Sequence, residues 1–361
     1  MTALFMPGLK LAAAFYAEVV RPLLDEAFTQ LPYAAALLGQ GSEVLGFDAE
    51  RSTDHDWGPR LQIFLADDQS RGQATKITAM FSRRLPATFR DYPTAFRVTR
   101  EPGGSAGHRV EVTGLASWLN SQLGFDPRRP ITAADWLATS TQRLAEVTAG
   151  AVFHDGLGDL SQARTRLAWY PREVWLYVLA CQWQRIAEEE SFPGRCAEAG
   201  DELGSAIVTA RLARDLMRLC LLMHRRYPPY SKWLGTAFSQ LPGAATLAAS
   251  LAPAVTATRW HARERHLCQA FEAAAAMHNK LGITKPLDTQ TRPFWNRPYR
   301  VLDAGRFTTA LLAAVTDPQI RGLPAAGAVD QFIDSTEALG KTEFLRAAIA
   351  AASRPKHHHS A

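Results

Sequence analysis

Near residue 115 the hydrophobic periodicity of the chain changes, and this constrains the fold more than any other feature. Upstream of that point helical and strand signals alternate. Downstream almost every apolar pattern has the 3.6-residue period of a helix. Leu11, Phe15, Val19 and Leu23 outline an amphipathic helix over Leu9 to Leu31, with Pro22 expected to kink it. Tyr33 to Leu38 has the short apolar run of a buried strand and ends at a turn signal, Gly39-Gln40-Gly41-Ser42. Trp57 to Leu65 reads as a second strand, irregular or at a sheet edge where it starts, because Pro59 removes a ladder donor. Gln73 to Leu85 reads as a helix, Pro102-Gly103-Gly104 as a loop, and His108 to Thr113 alternates with the period of two of a strand.

From Ile131 onward the helical patterns follow one another: Ala133 to Val152, Pro171 to Glu190, Asp201 to Arg226, Thr256 to Leu281 and Arg306 to Val315. The expected fold class is therefore α+β, a small mixed-sheet domain followed by an all-α helical-bundle domain. The expected boundaries are 1–125 for the first domain and 126–350 for the second, with a flexible tail over 351–361. The histidines of that tail, His357 to His359, are set aside from fold and metal arguments.

The formal net charge of +5 suits an anionic ligand such as a nucleotide. No run of Lys/Arg is longer than two, and Arg83-Arg84, Arg128-Arg129 and Arg225-Arg226 are isolated pairs, so nucleic acid is not the expected partner. Cys181, Cys196, Cys220 and Cys268 include no Cys-x-x-Cys pair and read as buried free thiols of a reducing compartment. Met1 to Lys10 lacks the layout of a signal peptide. The longest apolar stretch, Leu241 to Val255, contains Pro242 and Pro253 and is too short to span a bilayer. The expected location is the cytoplasm, with no membrane partner.

Gly39-Gln40-Gly41-Ser42-Glu43 and Ser52-Thr53-Asp54-His55-Asp56 carry the chemistry. A Gly-Ser turn after a buried strand exposes backbone N–H groups and a hydroxyl, which can hold phosphate oxygens. Asp54 and Asp56 stand two apart, and on a strand such residues share a face. Two adjacent carboxylates repel unless a cation lies between them, and magnesium prefers carboxylate and phosphate oxygens. The alternatives are an ordinary turn or helix cap at Gly41-Ser42 and a solvated acidic loop at Asp54 and Asp56.

Gly-Ser, a spacer of about ten residues and Asp-x-Asp resemble the signature of the nucleotidyltransferase superfamily, which includes the polymerase beta group and the antibiotic-modifying adenylyltransferases. In that superfamily a later strand supplies a third acid. The best match is Glu111 within His108-Arg109-Val110-Glu111-Val112, and its alternative is a surface carboxylate on an open sheet face. The chain also resembles the bacterial family known as domain of unknown function 4037. That likeness rests on Leu45-Gly46-Phe47-Asp48, Ser52-Thr53-Asp54-His55-Asp56-Trp57-Gly58-Pro59 and Pro229-Tyr230-Ser231-Lys232-Trp233-Leu234-Gly235.

The resemblance implies that Asp54, Asp56 and Glu111 bind two Mg2+ ions and are catalytic. It further implies that Gly41 and Ser42 hold the phosphates of a nucleoside triphosphate, with ATP the leading candidate. Lys232 is placed to reach the triphosphate and Tyr230 or Trp233 to stack on a base; the alternative is a packed corner between helices. Asp201, Glu202 and Asp215 are candidates for a general base, or else helix-start and surface acids. The leading expectation is an enzyme that moves a nucleoside monophosphate to a hydroxyl of a small molecule or protein. Its rival is a catalytically weak nucleotide-binding or regulatory module, suggested by Gly58-Pro59 interrupting the catalytic strand. A third is an RNA-modifying nucleotidyltransferase. The apolar helical domain leaves room for a homodimer.

Overall fold

Four strands form the sheet that organises the first half of the chain: β1 (Tyr33–Leu37), β2 (Leu61–Leu65), β3 (Val110–Gly114) and β4 (Ala151–Asp155), in the order β3-β2-β1-β4. β1 is antiparallel to β2 and to β4, while β2 and β3 run parallel. A parallel pair needs a crossover, and a helix over Ser70–Arg84 lies within the β2–β3 connection. This computed structural model describes residues 5–54, 57–68, 70–97 and 106–352. It forms two compact units: Met1–Ile131 with Arg143–Ala168, and Thr132–Gln142 with Trp169–Ala361.

All five residues of β1 and of β2 are buried, so both faces of the central strands are covered. Leu61, Ile63 and Leu65 point to one face, where they share a core with Leu11, Phe15, Val20 and Leu24 from the N-terminal helix and Ile77 and Phe81 from the crossover helix. Gln62 and Phe64 take the opposite face, as the period of two requires. There Phe64 meets the Trp118 ring edge-on at 5.2 Å, from the helix Leu115–Leu123.

The N-terminal helix runs from Gly8 to Ala27 with a π-helical turn, Tyr16–Val20, in the middle. An unbroken α-helix would need an N–H at residue 22 for the Glu18 carbonyl, and Pro22 has none; the register widens just before it. The expected kink is thus taken up as a register change. The helix expected over Ala133 to Val152 is instead two short helices, Ala133–Ala138 and Thr141–Thr148, followed by β4. The break after Ala138 places the Thr141 N–H 2.8 Å from Asp330 Oδ2, a contact far along the chain. Gly150, at φ +70°, turns the chain into β4; a Cβ there would strike the Leu37 carbonyl. Two short antiparallel pairs, Thr88–Phe89 with Tyr92–Pro93 and Ala95–Arg97 with Ala106–His108, have no counterpart in the sequence reading, and the loop expected at Pro102-Gly103-Gly104 lies outside the described residues.

The second unit is helical. Arg172–Glu189 is its central helix, with residues 174–183 and Ile186 buried on every side, as expected of a helix enclosed by others. Glu202–Met223, Trp260–Lys280 and Gly305–Ala314 carry much of the surrounding core. Trp183 stacks on Phe307 at 4.4 Å and its Nε1 donates to His278 Nδ1 at 3.3 Å. Glu190, just past the central helix, accepts the backbone N–H groups of Leu302, Asp303 and Ala304 and so fixes the entry to Gly305–Ala314. Ala244–Thr256 is a further helix despite Pro253 within it. No helix among the described residues is long and apolar enough to cross a membrane.

Candidate functional site

Because β2 runs against β1 and along β3, three ends meet on one rim of the sheet: the C-terminal end of β1 and the N-terminal ends of β2 and β3. The turn after β1, the chain entering β2, and Glu111 near the start of β3 all belong to this rim. Gln62 ties them together. Its Oε1 accepts the Leu38 N–H at 3.0 Å and its Nε2 donates to the Leu38 carbonyl at 3.2 Å, so one amide satisfies both backbone groups of the residue before Gly39. In the β2–β3 register Gln62 is the direct partner of Glu111.

The turn itself is held by an ion pair. The Arg60 guanidinium lies 2.8 Å (Nε) and 2.6 Å (Nη2) from Glu43 Oε1 and also donates to the Gln40 carbonyl. The Glu43 residue is only 2% exposed. Gly41 sits at φ +143°, and a Cβ added there would fall 2.6 Å from Glu43 Oε2 and into the Arg60 guanidinium. The glycine is therefore required by the Arg60–Glu43 pair as well as by its backbone angle. The Gly39 N–H is taken by the Glu146 carbonyl at 2.9 Å. The N–H groups of Gln40, Gly41 and Ser42 donate to no acceptor among the described residues. Gln40 is exposed, and Gly41 and Ser42 are half-buried.

Asp48 joins the N-terminal helix to the chain entering β2, accepting the Gly8 N–H at 2.7 Å and the Trp57 Nε1–H at 3.1 Å. Trp57 is buried edge-on against Tyr92. Gly8 is the first residue of its helix, and a Cβ there would lie 2.8 Å from Trp57 Nε1, so helix start and loop are in direct contact.

Asp54 ends a 3-10 helix, Glu50–Asp54, held by Thr53 Oγ1 donating to the Glu50 carbonyl and Ser52 Oγ accepting the Ala49 N–H. The strand argument for a shared face of Asp54 and Asp56 therefore does not apply at Asp54. β2 begins only at Leu61, after Gly58 at φ +142° and after Pro59, which has no N–H for the ladder. The side chain of Asp54, and all of Asp56, lie outside the described residues. Glu111 is exposed, yet the protein packed around its carboxyl disfavours the charged form and raises its pKa. The Gln62 amide and the charge of Arg60 act in the opposite sense.

Lys232 belongs to the second unit, exposed in the first turn of the helix Ser231–Ser239, with its ammonium 5.0 Å from the Trp233 ring centre. Before it, Tyr227, Pro228 and Pro229 are buried, and Tyr227 packs edge-on to Tyr170 at 5.2 Å; that part of the motif is a packed corner. Asp201 caps the helix Glu202–Met223 by accepting the Gly204 N–H at 2.7 Å, and Glu202 pairs with Arg263 at 3.0 Å. Asp215 is only 1% exposed and pairs with Arg185, so it is not the surface acid that its sequence position suggested. The four cysteines are free thiols, Cys181 and Cys220 fully buried. No group of three or more His, Cys, Asp or Glu suited to a metal occurs among the described residues.

Arg60 and Gln62 were not singled out in the sequence, and Glu43 entered only as the last residue of the turn motif, with no role for its side chain. Gln62 left a signal: a lone polar residue inside the apolar run Leu61–Leu65 must find partners if both faces are covered. Glu43 and Arg60 left none, since a charged residue after a turn reads as solvated.

A mixed four-stranded sheet with a glycine-rich rim, joined to a helical unit, makes this an α+β protein. Residues 136–234 match the model of a family described as a domain of unknown function, DUF4037. The matched stretch includes Pro229 to Leu234 but none of the rim acids. The chain is also similar to a nucleotidyltransferase-like protein from Exiguobacterium sibiricum 255-15, known from its crystal structure. Identity is 12% and the TM-score 0.33, over 87% of this chain and 91% of that one. A likeness so loose carries no argument about the path of the chain. No curated protein matches the chain.

Proposed function

We propose that the first unit is a metal-dependent nucleotidyltransferase domain that moves a nucleoside monophosphate from a nucleoside triphosphate, ATP first among the donors, to a hydroxyl of a small molecule or protein. The observation that supports this most is the position of Gln62: bonded to Leu38 and paired in register with Glu111, it links the Gly39–Ser42 turn and an acid on one rim. In this reading the N–H groups of Gln40, Gly41 and Ser42 and the Ser42 hydroxyl bind phosphate oxygens, an arrangement of successive amides that favours anions. Arg60 and Glu43 keep the turn in that shape before the ligand arrives, so little ordering remains for binding.

The fit to a divalent cation rests on Glu111. Its charged form is disfavoured where it stands, and a cation beside it would offset that, with oxygen donors of the kind magnesium takes. Asp54, Asp56 and Glu111 would hold two such ions, which when bound lower the pKa of the acceptor hydroxyl and stabilise the leaving pyrophosphate.

A second reading, a catalytically weak nucleotide-binding module, is favoured by two features. Asp54 ends a 3-10 helix instead of lying on a strand, and the charge of Arg60 already favours the ionised form of Glu111, as a metal would. Calorimetric titration with each nucleoside triphosphate, with and without Mg2+, combined with a pyrophosphate-release assay, separates the two. The enzyme reading expects Mg2+-dependent binding and release, both lost in the Asp54→Ala, Asp56→Ala double variant and in Glu111→Gln. Binding without any release favours the module, and no binding of any triphosphate refutes both.

A further inference from the structure

Just before β4, the end of a helix meets the Gly39–Ser42 turn, within the first unit. The last four carbonyls of an α-helix have no partner inside it. In Thr141–Thr148 these belong to Ala145, Glu146, Val147 and Thr148, and each is taken up. Ala145 accepts the Ala149 N–H at 2.7 Å and Glu146 accepts the Gly39 N–H at 2.9 Å. Val147 accepts Arg164 Nε at 3.2 Å and Thr148 accepts Arg164 Nη2 at 2.7 Å; the same Nη2 donates to the Ala149 carbonyl at 2.8 Å. The Gly150 N–H then donates to the Val44 carbonyl at 2.9 Å, so the helix end holds the turn on both sides.

A helix carries about half a negative charge at its C-terminus. Such an end is the wrong pole to set beside amides that hold phosphate, unless a cation covers it. Arg164, from the helix Asp159–Leu167, covers this one. Its guanidinium is half-buried and bonded to neutral carbonyls, with no carboxylate in an ion pair with it among the described residues. Burial lowers its pKa with no opposing charge to raise it, and an arginine keeps its proton all the same. The carboxylates beside the turn are matched elsewhere, Glu146 by Arg143 at 2.9 Å and Glu43 by Arg60 at 2.6 Å. Arg164 therefore sets a full, uncompensated charge over a partial charge of opposite sign, and the helix end presents a positive potential to the turn.

We propose that Arg164 is a positioning residue for the anionic ligand of the Gly39–Ser42 turn. It fixes the helix end that holds the turn and makes the field there attractive to phosphate, without touching the ligand. This rests on the reading of the turn as a phosphate site and adds the group that suits its surroundings to an anion.

The full-length protein is titrated by calorimetry at low ionic strength with ATP and with inorganic triphosphate, each with Mg2+. Arg164→Gln still donates to a carbonyl but carries no charge, and should bind both probes at least roughly fivefold more weakly. Arg164→Lys keeps the charge with fewer bonds and should recover most of that affinity. Ala168→Glu leaves Arg164 and its bonds in place and sets a negative charge four residues on, on the same helix face, at an exposed position. It too should weaken binding severalfold. Far-UV circular dichroism checks that the variants fold; should Arg164→Gln not fold, Ala168→Glu carries the test. An Arg164 that only caps the helix would leave Ala168→Glu at full affinity and Arg164→Lys as weak as Arg164→Gln, and either result overturns the proposal. Equal affinity in Arg164→Gln and the unaltered protein overturns it while the reading of the turn stands. Failure of the unaltered protein to bind either probe overturns both.

Discussion

Glu43→Gln tests whether the turn after β1 is built by its ion pair. The substitution keeps the shape of the side chain and removes the charge opposite Arg60. Breaking one side of a fully buried pair typically costs about 3–5 kcal/mol. The loss here is smaller, because the Arg60 side chain stays 16% exposed and keeps its bond to the Gln40 carbonyl, and a glutamine oxygen still accepts one N–H. What goes is the charge-assisted strength of the two contacts at 2.8 and 2.6 Å, and the expected destabilisation is roughly 2–3 kcal/mol. Urea denaturation followed by circular dichroism measures it. Hydrogen exchange over residues 38–47 locates it, since those amides should exchange faster while the helical unit stays unchanged. A loss under about 0.5 kcal/mol, with exchange over the turn unaltered, would refute the claim that the pair shapes the site.

Two further outcomes are expected. Gln62→Leu keeps the volume but leaves the Leu38 N–H and carbonyl without their partner in a buried place, and should destabilise the protein by about 2–4 kcal/mol in the same assay; a loss below about 1 kcal/mol would show that water replaces the amide. Burial pushes the Glu190 carboxyl from 4.5 to about 7 against the pull of three backbone N–H groups, so the folded state holds a proton that the unfolded state has lost. Its contribution is therefore full below pH 4.5 and disappears as pH rises through about 7, by up to roughly 3 kcal/mol. Denaturation profiles from about pH 4.5 to 8 should show this fall in the natural protein and not in Glu190→Gln; identical profiles would contradict it.

The elements with strong local patterns were legible. The run Tyr33 to Leu38 is β1, and Pro171 to Glu190 and Asp201 to Arg226 are helices to within a few residues. β4 was not, because nothing local sets it apart from the helix before it: Leu144, Val147 and Val152 continue one apolar rhythm across Gly150. Only pairing with β1 makes Ala151–Asp155 a strand, through contacts more than a hundred residues away in sequence. The site divides in the same way. Gly41 and Ser42 are indeed at a turn leaving a buried strand, but the Gly39 amide is already bonded to Glu146, and the reason for glycine at 41 lies at Arg60.

Residue order alone determined the change from a mixed sheet to helices, the burial of β1 and the glycine turn that follows it, because periodicity and turn chemistry act over a few neighbours. The tertiary structure decided which strands pair, that Gln62 faces Glu111, that Arg60 reaches back to Glu43, and that the helix end at Glu146 meets the turn at Gly39. Those are meetings between residues distant in the chain. They depend on the register of the sheet and the packing of the helices, and within the sheet a slip of one residue would turn every side chain to the other face.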